Sequence, residues 1–357
     1  MAPLPAQRKI VPKIDFSKYF SSLKTTTYND YDRPIRGSSS TVHRTLSWNN
    51  TGTLLATGAT DKIIRIWNAE RTSTSAGAGR ATPQAELKGH TLEVQKVAFN
   101  PIRENELASC SRDGSLRFWD TRTKTQVSKL DIGGDVFSIA WSVDGSAMVV
   151  GNKAEVLTTI DMTSGISTPV LQEKHRMKLE TNHTTFSMAY PPQDLLVTHG
   201  DGTVKILDYP SFEGLHTISS HTSSCSSIAM SPLGNYVAIG GSDAMIALWD
   251  TYDWVCKRTM SNANSGKVTG MSWSWDGRYI TSSSEDVSSG AGGEGKSEGF
   301  EIYHAETGDV VQTVPTRTNA VPAVAWHPKS YVLAYTVVEG GLKPVSSLKI
   351  VGDVGAT

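Results

Sequence analysis

The sequence predicts an all-β protein, a seven-bladed propeller closed by an N-terminal strand, and two ladders of residues carry that expectation. The first ladder ends short alternating segments such as IIRIW, LRFW and IALW: Trp67, Trp119, Ile160, Leu207, Trp249, Tyr303 and Val351. Its rungs lie 41 to 54 residues apart, the length of one four-stranded blade. The second ladder runs upstream of it in step: Trp48, Phe99, Trp141, Tyr190, Met230, Trp273 and Trp326. Seven of the nine tryptophans fall on the two ladders, so the aromatic content follows the repeat. A length of 357 residues suits one large β domain or two average ones, and the repeat decides between them.

Each repeat reads as four strands. The upstream rung ends strand a, as in TLSW, KVAF and AVAW. Strand b follows as LLATG, ELASCS or YVAIGG. A tight turn comes next, opened by Asp61, Asp113, Asp201 or Asp243, because Asp bonds its own backbone amides where the chain reverses. Strand c ends on the downstream rung, and strand d (TQVSKL, 125–130) leads to the next repeat. After Val351 only six residues remain, too few for a fourth strand in the last blade. The segment Tyr31–Arg36 is expected to supply that strand and to remove two exposed sheet edges. The expected organisation is an arm at 1–30 and a propeller at 31–357, with insertions at 72–85 and 288–299.

Composition narrows the function classes. Hydrophobic residues at 38% and charged residues at 19% suit a soluble chain with a real core. A net charge of −1 argues against nucleic-acid binding by bulk electrostatics. Cys110, Cys225 and Cys256 are too few and too scattered for a disulfide framework or a Cys-rich zinc site. No run of 18 apolar residues suggests a membrane span, and MAPLPAQRKIVPKIDF lacks a signal-peptide core. An intracellular, reducing environment is the expectation.

The dipeptides WN at 67–68 and WD at 119–120 and 249–250, with Gly89-His90 upstream, resemble the WD-repeat β-propeller family. That resemblance implies a hydrogen-bonded network of His, Ser or Thr, Asp and Trp within a blade. The second repeat matches it in full with His90, Ser109, Asp113 and Trp119. The fifth keeps His221, Asp243 and Trp249 but has Ile239 at the Ser position, and the third has Ala154 at the Asp position. A half-satisfied buried network is costly, so the second blade is expected to be the most rigidly specified.

Patterns suggestive of chemistry are weak. Gly290, Gly292 and Gly295 spell G-x-G-x-x-G, but in an inserted hairpin loop leading into a strand rather than before a helix. The nine histidines have no paired metal spacing, no G-x-S-x-G elbow exists, and Cys110 in strand b reads as a buried, inert thiol. The expectation is a non-enzyme without cofactor or metal.

Two regions invite partners instead. Residues 1–27 carry a charge of +4, with Phe16, Tyr19 and Phe20 among the basic residues. A solvated tail and a docking arm that orders on a partner compete there, with RNA contact as a third reading. Tyr209, Phe212, Tyr252, Trp254 and Trp275 fall in connections on one face of blades four to six, where an aromatic band would mark an interface. Packing of Trp254 against its own strand is the alternative.

GNKAEVLTTID (151–161), ILDYP (206–210), LWDTYDWVCKR (248–258) and AWHPK (325–329) resemble the WD-repeat subunits of the THO complex, part of the transcription–export machinery. The resemblance implies a nuclear scaffold subunit that supports co-transcriptional mRNP assembly and mRNA export. Its implied partners are the large helical scaffold subunits of THO, with the export helicase and mRNA reached through the complex, and neither membrane nor small-molecule substrate. A substrate receptor or chromatin adaptor reading a peptide at the top face is the competing class. Thr60, Arg112, Lys153, Gly200, Ser242 and Glu285 form the expected top ring, mixed in character and without an aromatic cage.

Overall fold

The computed structural model describes residues 10–28, 41–70, 82–177, 180–188, 194–261, 266–284, 299–316, 320–339, 345–352 and 354. Within them the chain forms seven antiparallel four-stranded sheets. Blade one comprises β2 (His43–Trp48), β3 (Leu54–Ala59), β4 (Ile63–Asn68) and β5 (Ala85–Lys88). Blade two comprises β6 (Val94–Phe99), β7 (Glu106–Ser111), β8 (Ser115–Asp120) and β9 (Thr125–Asp131), and the pattern repeats through blade six. The innermost strands of successive blades contact one another around the whole ring, and that of blade seven (Val324–Trp326) meets β2.

Seven core clusters lie between blades rather than within them. Between blades two and three, for example, Phe118 and Leu116 pack on Val136, Met148 and Ile160. Strand b is covered on both faces and is wholly buried in blade three (Ala147–Asn152), whereas the outer strand Gly214–Ser219 is mostly exposed. That gradient explains the apolar runs of the b strands and the polar d strands.

Both ladders have a structural cause. Each downstream rung pairs across from strand b, as in Trp67 with Leu55, Trp119 with Leu107 and Val351 with Leu333. Three of the four upstream tryptophans tie neighbouring blades through their indoles. The indole N–H groups of Trp48, Trp141 and Trp273 donate to the carbonyls of Ala325, Ala98 and Ala229, at 3.1, 3.3 and 3.0 Å. In blade four the rung is Phe186, which pairs with Leu195. The expected rung, Tyr190, lies outside the described residues.

Closure is achieved by an N-terminal strand, but by an earlier segment than expected. β1 (Thr25–Tyr28) pairs with Val345–Val351, matching Thr25 with Val351 and Tyr28 with Leu348. Tyr31–Arg36, assigned that role from the sequence, lies outside the described residues. Thr25–Tyr28 suits an outer strand because its β-branched threonines favour extended backbone, while Tyr28 buries its ring edge-on to Trp67, 5.7 Å away. The propeller therefore begins before residue 31.

Helix α1 (Lys13–Ser21) precedes that strand and packs on blades six and seven. Phe16 is fully buried, with its ring stacked 3.8 Å from that of Tyr279, and Phe20 is edge-on to Trp326 at 5.8 Å. The hydroxyl of Tyr279 donates to the carbonyl of Val11 at 3.0 Å. Lys13 pairs with Asp309 and donates to Thr307, and Ser17 donates to Gln312 at 2.6 Å. The expected docking arm is therefore corrected: Phe16 and Phe20 complete the core of their own chain, and Tyr19 packs against it half-buried. An amphipathic segment orders on the nearest complementary apolar surface, and here blades six and seven present that surface.

Candidate functional site

The hydrogen-bonded network stands complete in blade two. His90 Nε2 lies 2.8 Å from the hydroxyl of Ser109, which also accepts the Trp119 indole N–H at 2.8 Å. His90 Nδ1 lies 3.0 Å from Asp113, whose carboxylate also accepts the Thr91 N–H and the Ser115 hydroxyl. Gly89 packs closely beside it, since a Cβ there would stand 2.7 Å from the Arg117 guanidinium and 3.0 Å from the Trp119 ring, so both would have to shift. Burial opposes ionisation of Asp113, but the bonds from Ser115, Thr91 and His90 outweigh it and hold the carboxyl well below its ordinary range.

Other blades solve the same turn differently. In blade five His221 pairs with Asp243 at 3.0 Å, but its second nitrogen meets the carbonyl of Ile239, and the Trp249 indole donates to Ser220. In blade three Asn152 accepts the N–H groups of Ala154 and Val156, replacing the missing Asp. In blade one Asp61 takes a bidentate pair from Arg65, at 2.6 and 3.2 Å, and Trp67 donates to Thr57. The network thus ties the strands and turn of a blade to one another, and in blade two its members are buried. Burial likewise pushes the Cys110 thiol up to about 12, where it is no nucleophile. Among the described residues, no group of three His, Cys, Asp or Glu side chains is placed to hold a metal ion. No described helix is long and apolar enough to cross a membrane. Gly290, Gly292 and Gly295 lie outside the described residues.

Acid should destabilise this arrangement. Burial, with Arg65 nearby, lowers His43 to about 4, and burial lowers His90 as well. An unfolded His takes up its proton near pH 6.5 and the folded groups do not. Stability is therefore full above about pH 6.5 and declines as pH falls toward 4, by about 3 kcal/mol through His43. Asp113 adds a further loss below about pH 4, where the unfolded carboxylate protonates first. Melting temperatures at pH 7.5, 6 and 4.5 check this, and His43→Gln should flatten the decline.

The five aromatics of the expected band do not form one. Tyr209 and Phe212 pack half-buried with Phe186 and Met177, and the Phe212 ring stacks 3.8 Å from that of His175. Trp254 packs against the core between blades four and five, and Trp275 against that between blades six and seven, beside Tyr331. Only Tyr252, 95% exposed, stands free of such packing. Four of the rings are separated because each packs against a core between blades: Tyr209 and Phe212 between three and four, Trp254 between four and five, and Trp275 between six and seven.

A different surface emerges on that face. Met188, Leu233 and Trp254 line a depression of about 320 Å³ at the junction of blades four and five, and Tyr252 and Val255 flank Trp254 in the chain. Met188, Leu233 and Val255 are exposed apolar residues that the sequence reading missed. Their signal was available: Met188 and Leu233 stand in a–b connections, where turn-formers are expected. Trp254 has φ 53°, in the left-handed region, as does Phe212 at 59°, whereas Gly165 and Gly308 occupy the matching turn in blades three and six. Blade two places Lys124 there at φ 61°, so the turn accepts side chains other than glycine.

At the opposite end, Arg112 of the expected top ring pairs with Asp135 at 3.4 Å and approaches Glu93, and Lys153 also reaches Asp135. Glu285 lies outside the described residues. The central channel below that mouth, about 450 Å³, is lined by Arg44, Lys96, His183 and Lys267.

Seven sheets in a closed ring, joined by inter-blade tryptophans and carrying a His-Ser-Asp-Trp network within blade two, define a WD-repeat propeller. The family described as "WD domain, G-beta repeat" matches residues 32–68, 81–120, 212–250 and 254–286. THO complex subunit 3 of Arabidopsis thaliana is 34% identical over 85% of this chain and 89% of its own. The WD repeat-containing protein AAC3 of Dictyostelium discoideum is 24% identical over 68% of this chain, which spans about half (52%) of that protein. The β-propeller domain of Cps50 (Swd1) from Myceliophteria thermophila superposes with a TM-score of 0.70 over 92% of this chain and 99% of that one, at 15% identity, a likeness of fold alone. The chain belongs to the WD-repeat β-propeller family and, within it, to the family of THO complex subunit 3.

Proposed function

We propose that this protein is a non-enzymatic scaffold subunit of a nuclear THO-type complex, supporting co-transcriptional mRNP assembly and mRNA export. The observation that carries the reading is the 34% identity to THO complex subunit 3, which runs across nearly the whole of both chains. On this reading the other THO subunits, large and helical, are the direct partners, and the export helicase and mRNA are reached through them. The rim of exposed apolar residues Met188, Leu233, Tyr252 and Val255, beside the half-buried Trp254, supports docking by protein contact, since aromatic and apolar residues concentrate at interface hot spots. The rim replaces the aromatic band and the N-terminal arm as the docking candidate.

Trp254→Gly combined with Tyr252→Ala tests this. Glycine relieves the left-handed turn but removes the ring's packing on the core between blades four and five, so the variant should stay folded with a melting temperature lowered by only a few degrees. Recovery of the other THO subunits in a pull-down should drop at least tenfold, with little dependence on salt. Undiminished recovery would move the interface elsewhere. A peptide-reading adaptor, the competing class, would instead lose its partner on substitution of Arg112 and Lys153 at the opposite mouth.

A further inference from the structure

We propose that the central channel binds a small, multiply charged anion of the polyphosphate class, held chiefly by Lys96 and Lys267 with Arg44 adding charge. The site is distinct from the docking rim and does not depend on it.

The channel is built by an irregularity repeated around the ring. At the start of the innermost strand the pairing register slips between His43 and Thr45, between Val94 and Lys96, between Val136 and Ser138, and between Thr181 and Thr184. A bulge re-aims a side chain out of the regular alternation. The residues set free by these slips include Arg44, Gln95, Phe137 and His183, and all four line the channel. Lys96 and Lys267 join them, so three cationic side chains and a neutral histidine, from four blades, converge on one space.

Among the described residues no Asp or Glu lines that space, and Glu93 and Asp135 line the adjoining depression at the mouth. Among the described residues, neither Lys96 nor Lys267 forms an ion pair. The mouth above offers a contrast, because there Arg112 and Lys153 share Asp135. Like charges gathered in an enclosed, weakly screened space repel one another and disfavour the compact state. Burial and the nearby Lys96 and Lys267 hold His183 neutral, with its pKa lowered to about 3, and burial lowers Lys96. Two ammonium groups, Lys96 and Lys267, that share one space without an ion pair form a binding site for negative charge.

Size and polarity choose the ligand class. A volume of about 450 Å³ falls in the range of small-molecule sites. Gln95 and Thr269 add hydrogen-bonding groups to the wall, suited to phosphate oxygens between the cations. Several cations spread over separate blades fit an anion with several charges better than a lone carboxylate.

Calorimetric titration of the full chain with inorganic tripolyphosphate, at about 0.15 M salt, tests the proposal. Saturable binding at one site is expected, and Lys96→Met with Lys267→Met should weaken it at least tenfold. The unliganded double variant should melt no lower than the parent, because repulsion has been removed. Arg112→Gln, at the mouth, should leave affinity within twofold. The His183 ring resonances provide a second readout: bound anion offsets the neighbouring ammonium charges and must raise the His183 pKa. That readout, with Lys267→Met alone, keeps the test decisive if the double variant folds poorly. ATP and inositol hexakisphosphate run in parallel distinguish a nucleotide from a phosphorylated cyclitol as the natural source. Absence of saturable binding overturns the proposal. So does binding that survives the double substitution, or that leaves the His183 pKa unmoved. Tighter, displacing binding by an RNA oligonucleotide or an acidic peptide would assign the channel to a macromolecule and overturn it too.

Discussion

A chain lacking residues 1–24 should melt far below the full-length protein and bind apolar dyes. The truncation strips Val11, Phe16 and Phe20 from the core between blades six and seven and uncovers Tyr279, Trp326 and Tyr331. Each buried aromatic contributes roughly 2–3 kcal/mol by area alone, and the Phe16–Tyr279 stack adds about 1 kcal/mol. Tyr279 also loses the carbonyl of Val11, its hydrogen-bond acceptor from 268 residues away. The single substitution Phe16→Ala should destabilise by about 3–5 kcal/mol. Extending the truncation through Tyr28 frees the edge of Val345–Val351, and aggregation should follow. Thermal melts and light scattering on the three proteins check the series. A 1–24 truncation melting within about 2 °C of the parent would show that the helix is a passenger.

Trp119→Ala should be the most damaging substitution among the downstream rungs. It removes a side chain that is 1% exposed and strands the Ser109 hydroxyl, which also serves His90. The expected loss is about 3–5 kcal/mol from the cavity, with a further 1–3 kcal/mol from the polar group left unpaired. Trp249→Ala in blade five should cost less, because Trp249 is only half-buried and its indole bonds Ser220 outside the His221–Asp243 pair. Ser109→Ala crossed with Trp119→Phe, a double-mutant cycle, should show coupling of more than about 0.5 kcal/mol. Equal losses for Trp119→Ala and Trp249→Ala would mean that the network adds nothing beyond packing.

Much of the fold was legible because a blade is a local object. Strand periodicity, the turn residues and the rung positions all lie within some 50 residues. The network in blade two was readable for the same reason, since His90, Ser109, Asp113 and Trp119 lie within one repeat. Even the gaps were visible: the missing Ser at Ile239 and the missing Asp at Ala154 mark the blades where a carbonyl and Asn152 take over. The rung in blade four was misplaced because Tyr190 and Phe186 both follow the a-strand pattern. Only pairing with Leu195 distinguishes them.

The candidate site was less legible. Tyr252 and Trp254 could be singled out as unusual turn residues, but whether their rings reach solvent depends on the edge of the adjacent blade. Met188 and Leu233 gain meaning only when neighbouring a–b turns are brought side by side.

By itself, then, the sequence determined a closed ring of seven β-sheets, the family, and the interactions inside each repeat, because these rest on short-range patterns repeated until they are unmistakable. The tertiary structure alone decided what completes the ring and what meets at its centre. It turned a basic, aromatic arm into a buried helix and closing strand, and it gathered Arg44, Lys96, His183 and Lys267 into one channel. Both outcomes depend on residues far apart in the chain meeting at closure. Burial and electrostatic repulsion act through distance in space, and no local spacing encodes that distance.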